Sequence, residues 1–268
     1  DHNQGKLSVM GALSTDDSGD GSWAYDRSFC VPGDTATCDP PVGEWKFDEK
    51  TGTDAYDTSG NDYSGSLTNM EFSDWISGDC HAGSCLAFDG NNEFVDVGAS
   101  AGTVRTISFW VKPASDTEYI IDLNGAAYIW NNAGVVNAYG FTSPTVYVNG
   151  LAGTDLVADS WQYVAVTTAT ALNASDLDIG RVEGSGYFEG SIDQVRLFAE
   201  VLTPAQIAWD YNQGAPVAHW KLDECQGSTV YDYSGFGLNG TIVEGGAGDN
   251  NGGVGTCDSG NGDEMWDN

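Results

Sequence analysis

An all-β sandwich or barrel is the fold class the sequence predicts, and two observations predict it. Short runs of alternating apolar and polar residues recur from Val42 onward, among them Phe94-Val95-Asp96-Val97, Thr106-Ile107-Ser108-Phe109-Trp110-Val111, Thr145-Val146-Tyr147-Val148 and Trp161-Gln162-Tyr163-Val164-Ala165-Val166. Turn signals separate them, with Asn124-Gly125 and Asn149-Gly150 of the hairpin type. Alternation with a period of two gives strands with one buried face, and many such strands close into a sandwich or barrel.

A repeat organises the chain. Pro41-Val42-Gly43-Glu44-Trp45-Lys46-Phe47-Asp48-Glu49 returns as Pro216-Val217-Ala218-His219-Trp220-Lys221-Leu222-Asp223-Glu224, and Tyr56-Asp57-Thr58-Ser59-Gly60 returns as Tyr231-Asp232-Tyr233-Ser234-Gly235. The offset stays at 175 residues, and 12 of the 27 aligned positions are identical, which marks a duplicated domain and not a solenoid unit. The first match opens a segment of about 170 residues, the second only a short one. The predicted organisation is an N-terminal extension over 1–41, a complete sandwich over 42–213 and a partial second module over 214–268. Within the extension, Leu7–Leu13 is the one apolar stretch. At Leu202–Ile207 one helical turn is expected, with Thr203 as cap, Pro204 at the first helical position and Gln206 completing a capping box.

The charge is lopsided: 40 acidic residues against nine basic ones give a formal net charge of −31. That surface repels phosphates and anionic lipid, which excludes nucleic acid and membrane surfaces as expected partners. Six cysteines permit 15 connectivities. Sequential pairing is favoured, Cys30 with Cys38, Cys80 with Cys85 and Cys225 with Cys257, because each pair brackets a Gly-rich turn. An even count at local spacing suits an extracellular or cell-surface setting. Asp1 reads as a mature terminus or the start of a fragment, and no apolar run approaches membrane-spanning length.

Taken in order, these motifs resemble bacterial laminin-G-like (concanavalin A-like) jelly-roll domains. Trp45–Glu49 with Tyr56–Asn61 matches that family's first strand and loop. Phe88-Asp89-Gly90, Phe94–Val97, Ile107–Val111 and Tyr147-Val148-Asn149-Gly150 follow, and the match closes with Trp161, Ile179-Gly180 and Phe188–Leu197. The run Tyr147–Gly150 precedes Trp161, where many members reverse that order. The resemblance covers about residues 42–212 and implies a two-sheet antiparallel jelly roll in which Val42–Phe47 pairs beside Gln194–Phe198. Trp45, Phe47, Phe109, Val195 and Leu197 then face the core.

Asp57-Thr58-Ser59-Gly60-Asn61-Asp62 alternates oxygen-bearing side chains around a glycine, the way a loop wraps a hard cation. The resemblance implies a structural calcium here, held by Asp57, Ser59 and Asn61, with Asp193 as an added ligand. The competing reading is an Asx-turn in which Asp57 caps its own backbone. Phe236 stands where Asn61 would be in the second copy, which is the poorer metal candidate. His2, His81 and His219 lie in no Ser/His/Asp-like context, and His81 and His219 read as surface residues. Glu93 and Asp96 are the nearest carboxylate pair, yet three residues apart in a strand they face opposite ways, so no enzyme is expected. Trp75, Trp130 and Tyr139 are candidates for stacking on a sugar ring, each weighed against a core role. The functional expectation is an extracellular adhesion or recognition module that binds a glycan or a protein. The alternative is a filament or surface-layer subunit whose C-terminal half-module is completed by a neighbouring copy.

Overall fold

The computed structural model describes residues 39–98, 101–212, 219–222, 229–232 and 238–241. Of the three expected disulfides, the one between Cys80 and Cys85 is formed. The expected pairing of Cys30 with Cys38 lies outside the described residues, as does that of Cys225 with Cys257. The Leu7–Leu13 stretch and Phe236 lie outside them too. The chain divides into two compact units, Asp1–Tyr211 and Asn212–Asn268.

The first unit is an antiparallel sandwich of two large sheets. In chain order its strands are β1 (Gly43–Trp45), β2 (Asp54–Ala55), β3 (Gly65–Thr68), β4 (Trp75–Ile76), β5 (Cys85–Asp89), β6 (Phe94–Gly98), β7 (Thr103–Pro113), β8 (Glu118–Asp122), β9 (Tyr128–Asn132), β10 (Val135–Tyr139), β11 (Thr145–Val148), β12 (Leu151–Ala152), β13 (Gln162–Asn173), β14 (Leu177–Ile179), β15 (Arg181–Val182), β16 (Gly186–Tyr187) and β17 (Glu189–Phe198). The first sheet runs β12-β11-β13-β7-β17-β5-β4, and the second runs β10-β9-β8-β14-β6-β3-β2. In the first sheet, β17 holds β5 along its N-terminal half and β1 along its C-terminal half, through Gly43↔Leu197, Glu44↔Arg196 and Trp45↔Val195. The first and last strands of the sandwich therefore meet. Both residues of the Asn149-Gly150 turn have positive φ, 51° and 77°, as the β11–β12 hairpin requires.

The alternating positions face inward as their pattern demands. Trp45, Phe47, Phe109, Val195 and Leu197 are fully buried in one continuous core that Val95, Ile121, Ile129 and Ile179 complete from the second sheet. Each large side chain buried there stabilises the fold by roughly 1.5–3 kcal/mol. A bulge in β17 places Gln194 at φ 48°, and the register shifts between Asp193 and Arg196. Ile192 and Val195 can then both point into the core, while Asp193 and Arg196 stay on the outer face.

That outer face carries a second cluster of Trp110, Tyr147, Tyr163, Phe198, Leu202 and Ile207. The helix α1 (Pro204–Asn212) contributes Ile207 to it. Its capping box forms as expected: Thr203 N–H donates to Gln206 Oε1 at 2.8 Å and Gln206 N–H to Thr203 Oγ1 at 3.3 Å. The helix spans nine residues and not the single turn predicted, because its second half is held by a buried polar network. Asp210 accepts from Ser108 Oγ at 2.7 Å, Tyr163 Oη at 2.6 Å and Arg196 Nη1 at 2.6 Å. Arg196 also donates from Nε to Glu44 Oε1 at 2.8 Å. Burial works against its charge, but Asp210 and Glu44 together hold the guanidinium pKa above its ordinary value.

The second unit contains β18 (Thr229–Val230) and β19 (Gly240–Thr241), paired through Thr229↔Thr241 and Val230↔Gly240. These are the positions of β2 and β3, which pair through Asp54↔Ser66 and Ala55↔Gly65, moved by the repeat offset.

Candidate functional site

The second sheet presents its outer face at one end as an aromatic strip. Ile129 and Val136 enter the core, so alternation turns Tyr128 and Trp130 of β9, and Asn137 and Tyr139 of β10, outward. The register sets Tyr119 beside Trp130, Trp130 beside Asn137, and Tyr128 between Asp122 and Tyr139. Tyr119 and Trp130 stack at 5.6 Å between centroids with planes 12° apart. Tyr128 and Tyr139 stack at 4.8 Å and 20°. Tyr139, on the edge strand, is 60% exposed.

A short hairpin, β15–β16, lies over the middle of the same face. Glu183 N–H donates to Asp122 Oδ2 at 2.9 Å, and the backbone of Gly186 sits so close to Tyr119 that a Cβ would come within 2.6 Å of its ring. Arg181 stands 3.6 Å above the Phe94 ring and donates from Nε to Asp178 Oδ2 at 2.7 Å. Asp122, with further hydrogen bonds from the N–H groups of Asn124 and Gly125, anchors both the hairpin and the β8–β9 turn. Asp178 is buried, and its Oδ1 has no hydrogen-bond partner. Burial raises its pKa to about 6 against the pull of Arg181, with Asp96 and Asp176 adding to the rise. The row Asp96–Asp178–Asp122 crosses three neighbouring strands, but two of the three carboxylates are committed to structural partners.

The predicted metal ligands fall in two separate places. Asp57 Oδ1 accepts from the N–H groups of Glu44 and Ser59, both at 2.9 Å, and Oδ2 from Ser59 Oγ at 2.8 Å and Tyr63 N–H at 3.0 Å. Ser59 Oγ and Asn61 Nδ2 also donate to Val42 O. The loop is wired as an Asx-turn whose carboxylate is fully used by donors, and these residues do not fit a cation in this geometry. Asp193 lies elsewhere, beneath the loop closed by the Cys80–Cys85 disulfide. Its Oδ2 accepts from Ala82 N–H at 2.9 Å, while its buried Oδ1 has no partner. Burial raises its pKa to about 7, and the Asp48 carboxylate contributes to the rise. Asp48 in turn accepts from Ser84 N–H at 2.9 Å. An orphaned carboxylate oxygen beside a second acid suits a cation. No group of three or more His, Cys, Asp and Glu side chains placed to hold a metal ion occurs among the described residues.

The other candidates sort by burial. Trp75 is a core residue, 8% exposed, with Nε1 donating to Gly52 O at 3.2 Å. Trp130 and Tyr139 belong to the strip. His81 is half-buried, stacked 3.3 Å from Trp110, and burial followed by Arg196 depresses its pKa to about 4. It is therefore a neutral packing group and not the surface residue expected, whereas His219 is exposed. Glu93 precedes β6 and accepts from Asp89 N–H at 2.7 Å; its pKa rises to about 7 through burial, then through Asp74 and Asp89. Sequence reasoning missed Tyr119 and Tyr128. The alternation of Tyr128-Ile129-Trp130 was the available signal, since it sends both aromatic residues to one face.

No protein-family model and no curated protein sequence matches the chain. Among solved structures, it is similar to domain 4 of AbnA, a GH43 extracellular arabinanase from Geobacillus stearothermophilus in complex with arabinotriose, at 16% identity and a TM-score of 0.45, over 64% of this chain and 97% of that domain. It is also similar to the binding domain of botulinum neurotoxin serotype D, at 12% identity and a TM-score of 0.41, over 68% of this chain and 53% of that one. The sialidase of Trypanosoma rangeli in complex with the inhibitor DANA gives 13% identity and a TM-score of 0.44, over 68% and 34%. The chain thus spans about half or less of the last two.

Proposed function

We propose that the first unit is a non-enzymatic, extracellular recognition module of the laminin-G-like kind, and that it takes a carbohydrate at the strip formed by Tyr119, Trp130, Tyr128 and Tyr139. The observation that carries this reading is the ring of Tyr139, exposed on one side and braced on the other by Tyr128. A sugar offers axial C–H groups to a ring face, and a rigid stacked pair presents that face with little loss of side-chain freedom. Asn137 stands between Trp130 and the strand edge, where an amide can bond to hydroxyls. The Cys80–Cys85 disulfide supports an oxidising compartment. A glycan array probed with the full chain and with Tyr139→Ala tests the reading. Binding that Tyr139→Ala removes, with an unchanged melt, is the expected result; equal binding by the two proteins, or none by either, rejects it.

Calcium is part of the proposal at Asp193, the added ligand of the single site expected from the sequence. Asp193, with Asp48 beside it, would hold the ion, which would supply the positive charge that the buried carboxylate lacks and pin the Cys80–Cys85 loop. Calorimetric titration of the chelator-treated chain, with Asp193→Asn as the control, is the measurement. One calcium bound by the wild type and none by the variant is expected.

A further inference from the structure

The chain contains the triplet Asn-x-Ser/Thr twice, as Asn173-Ala174-Ser175 and as Asn239-Gly240-Thr241. That triplet accepts an N-linked glycan when it lies on the surface of a secreted protein. The triplet alone does not tell the two copies apart, but the structure does.

Asn173 is the last residue of β13. Leu172 before it packs against the core and Ala174 after it is fully buried there, so strand alternation turns Asn173 outward, where it is exposed. Thr103, its partner across β7, is exposed as well. Ala174 anchors the triplet through its backbone: its N–H donates to Gly102 O at 2.9 Å, and its carbonyl accepts from Ala101 N–H at 3.1 Å. Ser175 follows and is exposed. The Asn173 main-chain carbonyl accepts from Asn124 Nδ2 at 2.8 Å, whereas its own carboxamide makes no hydrogen bond among the described residues. The fold therefore holds this triplet by its main chain and one methyl group. The two groups that glycan transfer needs, the Asn173 amide and the Ser175 hydroxyl, are left to solvent.

Asn239 is placed differently. Its Oδ1 accepts from Asp232 N–H at 2.9 Å, as Ser64 Oγ does from Asp57 N–H in the first copy of the repeat. Asp232 in turn accepts from the N–H groups of His219 at 2.8 Å and Leu238 at 3.0 Å. The side chain of Asn239 is thus one link of a turn. A carboxamide is planar, so a bond to its oxygen also fixes where its nitrogen lies.

We propose that Asn173 is an N-glycosylation site, taking an oligosaccharide from a polyprenyl-phosphate donor, and that Asn239 is passed over. In the transfer, Asn173 Nδ2 gives up one proton and forms a bond to C1 of the first sugar. The bond from C1 to the phosphate oxygen breaks, and the phosphate leaves with the electron pair and takes up the proton. The amide stays neutral and no core contact is lost, because Ala174 and not Asn173 holds the strand end. The proposal shares with the recognition reading only the extracellular setting, which the Cys80–Cys85 disulfide supports. A strip that binds no carbohydrate would leave it untouched.

The test is made on the full chain, secreted from cells that carry an oligosaccharyltransferase. Intact mass and peptide mapping compare the wild type with Asn173→Gln, Ser175→Ala, Ser175→Thr and Asn239→Gln, before and after treatment with an amidase that releases N-glycans. The wild type, Ser175→Thr and Asn239→Gln are expected to carry the same added mass. Asn173→Gln and Ser175→Ala are expected to carry none, with unchanged melts, since both side chains are exposed. Amidase release should leave an aspartate at position 173 and at no other. A wild type with no added mass overturns the proposal. So does added mass that persists in Asn173→Gln, or a glycan mapped to Asn239 at equal occupancy.

Discussion

Segments 43–66 and 218–241 carry the same local instructions and reach different ends. Both make the carboxylate-centred turn, the indole-to-carbonyl bond and the two-residue strand pair. Among the described residues, only the first is paired into a large sheet, through β17. Local hydrogen bonding is therefore encoded within some twenty residues, because each donor and acceptor lies in the same short segment. Burial is not, since it needs β17, about 150 residues away in sequence. The apolar alternation that identifies a strand is silent about whether a partner exists.

The largest test of this contrast is truncation of the two tryptophans. Trp45→Ala should cost about 3–5 kcal/mol, the range for emptying a large core site. Trp220→Ala should change the main unfolding transition by less than about 0.5 kcal/mol, as for a surface substitution. Denaturant titration of both variants measures the difference. Equal losses would mean that Trp220 is covered in solution.

Next in size is Glu44→His, which writes the second segment's residue into the first. Arg196 loses one of its two acids, and destabilisation of about 2–3 kcal/mol is expected, below the range for a fully buried pair because Asp210 remains. The pH dependence should change as well. Burial alone would raise the Glu44 carboxyl, but Arg196, Thr58 and Lys46 outweigh it and hold the pKa below its ordinary value. The stabilisation is thus present above the unfolded-state value near 4.5 and lost as the pH falls through the depressed folded value. Acid titration of the wild type should show that loss, and the variant should lack it.

Asp57→Ala and Asp232→Ala probe the shared turn. Removing Asp57 strands the N–H groups of Glu44 and Tyr63 beside the core, at a cost of about 1–3 kcal/mol in the main transition. Removing Asp232 should leave that transition in place and abolish amide protection at His219 and Leu238 alone. A main-transition shift in Asp232→Ala would show that the two units unfold together.

Much of this was readable in the chain and some of it could not be. The strands and the capping box at Thr203 follow from alternation and one N-cap pattern, whereas the meeting of β1 with β17 and the core set of Trp45, Phe47, Phe109, Val195 and Leu197 are what the resemblance to laminin-G-like domains implies. The length of α1 was hidden because Asp210 is held by Ser108, Tyr163 and Arg196, each from a different strand. The metal reading of Asp57 drew on the loop's oxygen content. Composition does not reveal that four donors already occupy that carboxylate. The aromatic strip was half seen: Trp130 and Tyr139 were named, whereas Tyr119 and Tyr128 join them only through a register that local pattern does not supply.

A further test concerns three buried carboxyls of the first unit. Asp193 and Glu93 have pKa values raised to about 7 and Asp178 to about 6, each chiefly through burial. A carboxyl raised above its unfolded value is penalised when ionised, so its contribution is most favourable at low pH and erodes as the pH climbs from about 4 to 7. The wild type should therefore melt at a lower temperature at pH 8 than at pH 5. Asp193→Asn should flatten part of that slope, and Asp232→Ala should leave it unchanged. Calcium sharpens the test: an ion at Asp193 favours the ionised form and should restore the melting temperature at pH 8, while doing nothing for Asp193→Asn. A slope insensitive to Asp193→Asn would take Asp193 out of the set of strained carboxylates. Restoration by calcium in Asp193→Asn as large as in the wild type would place the metal elsewhere.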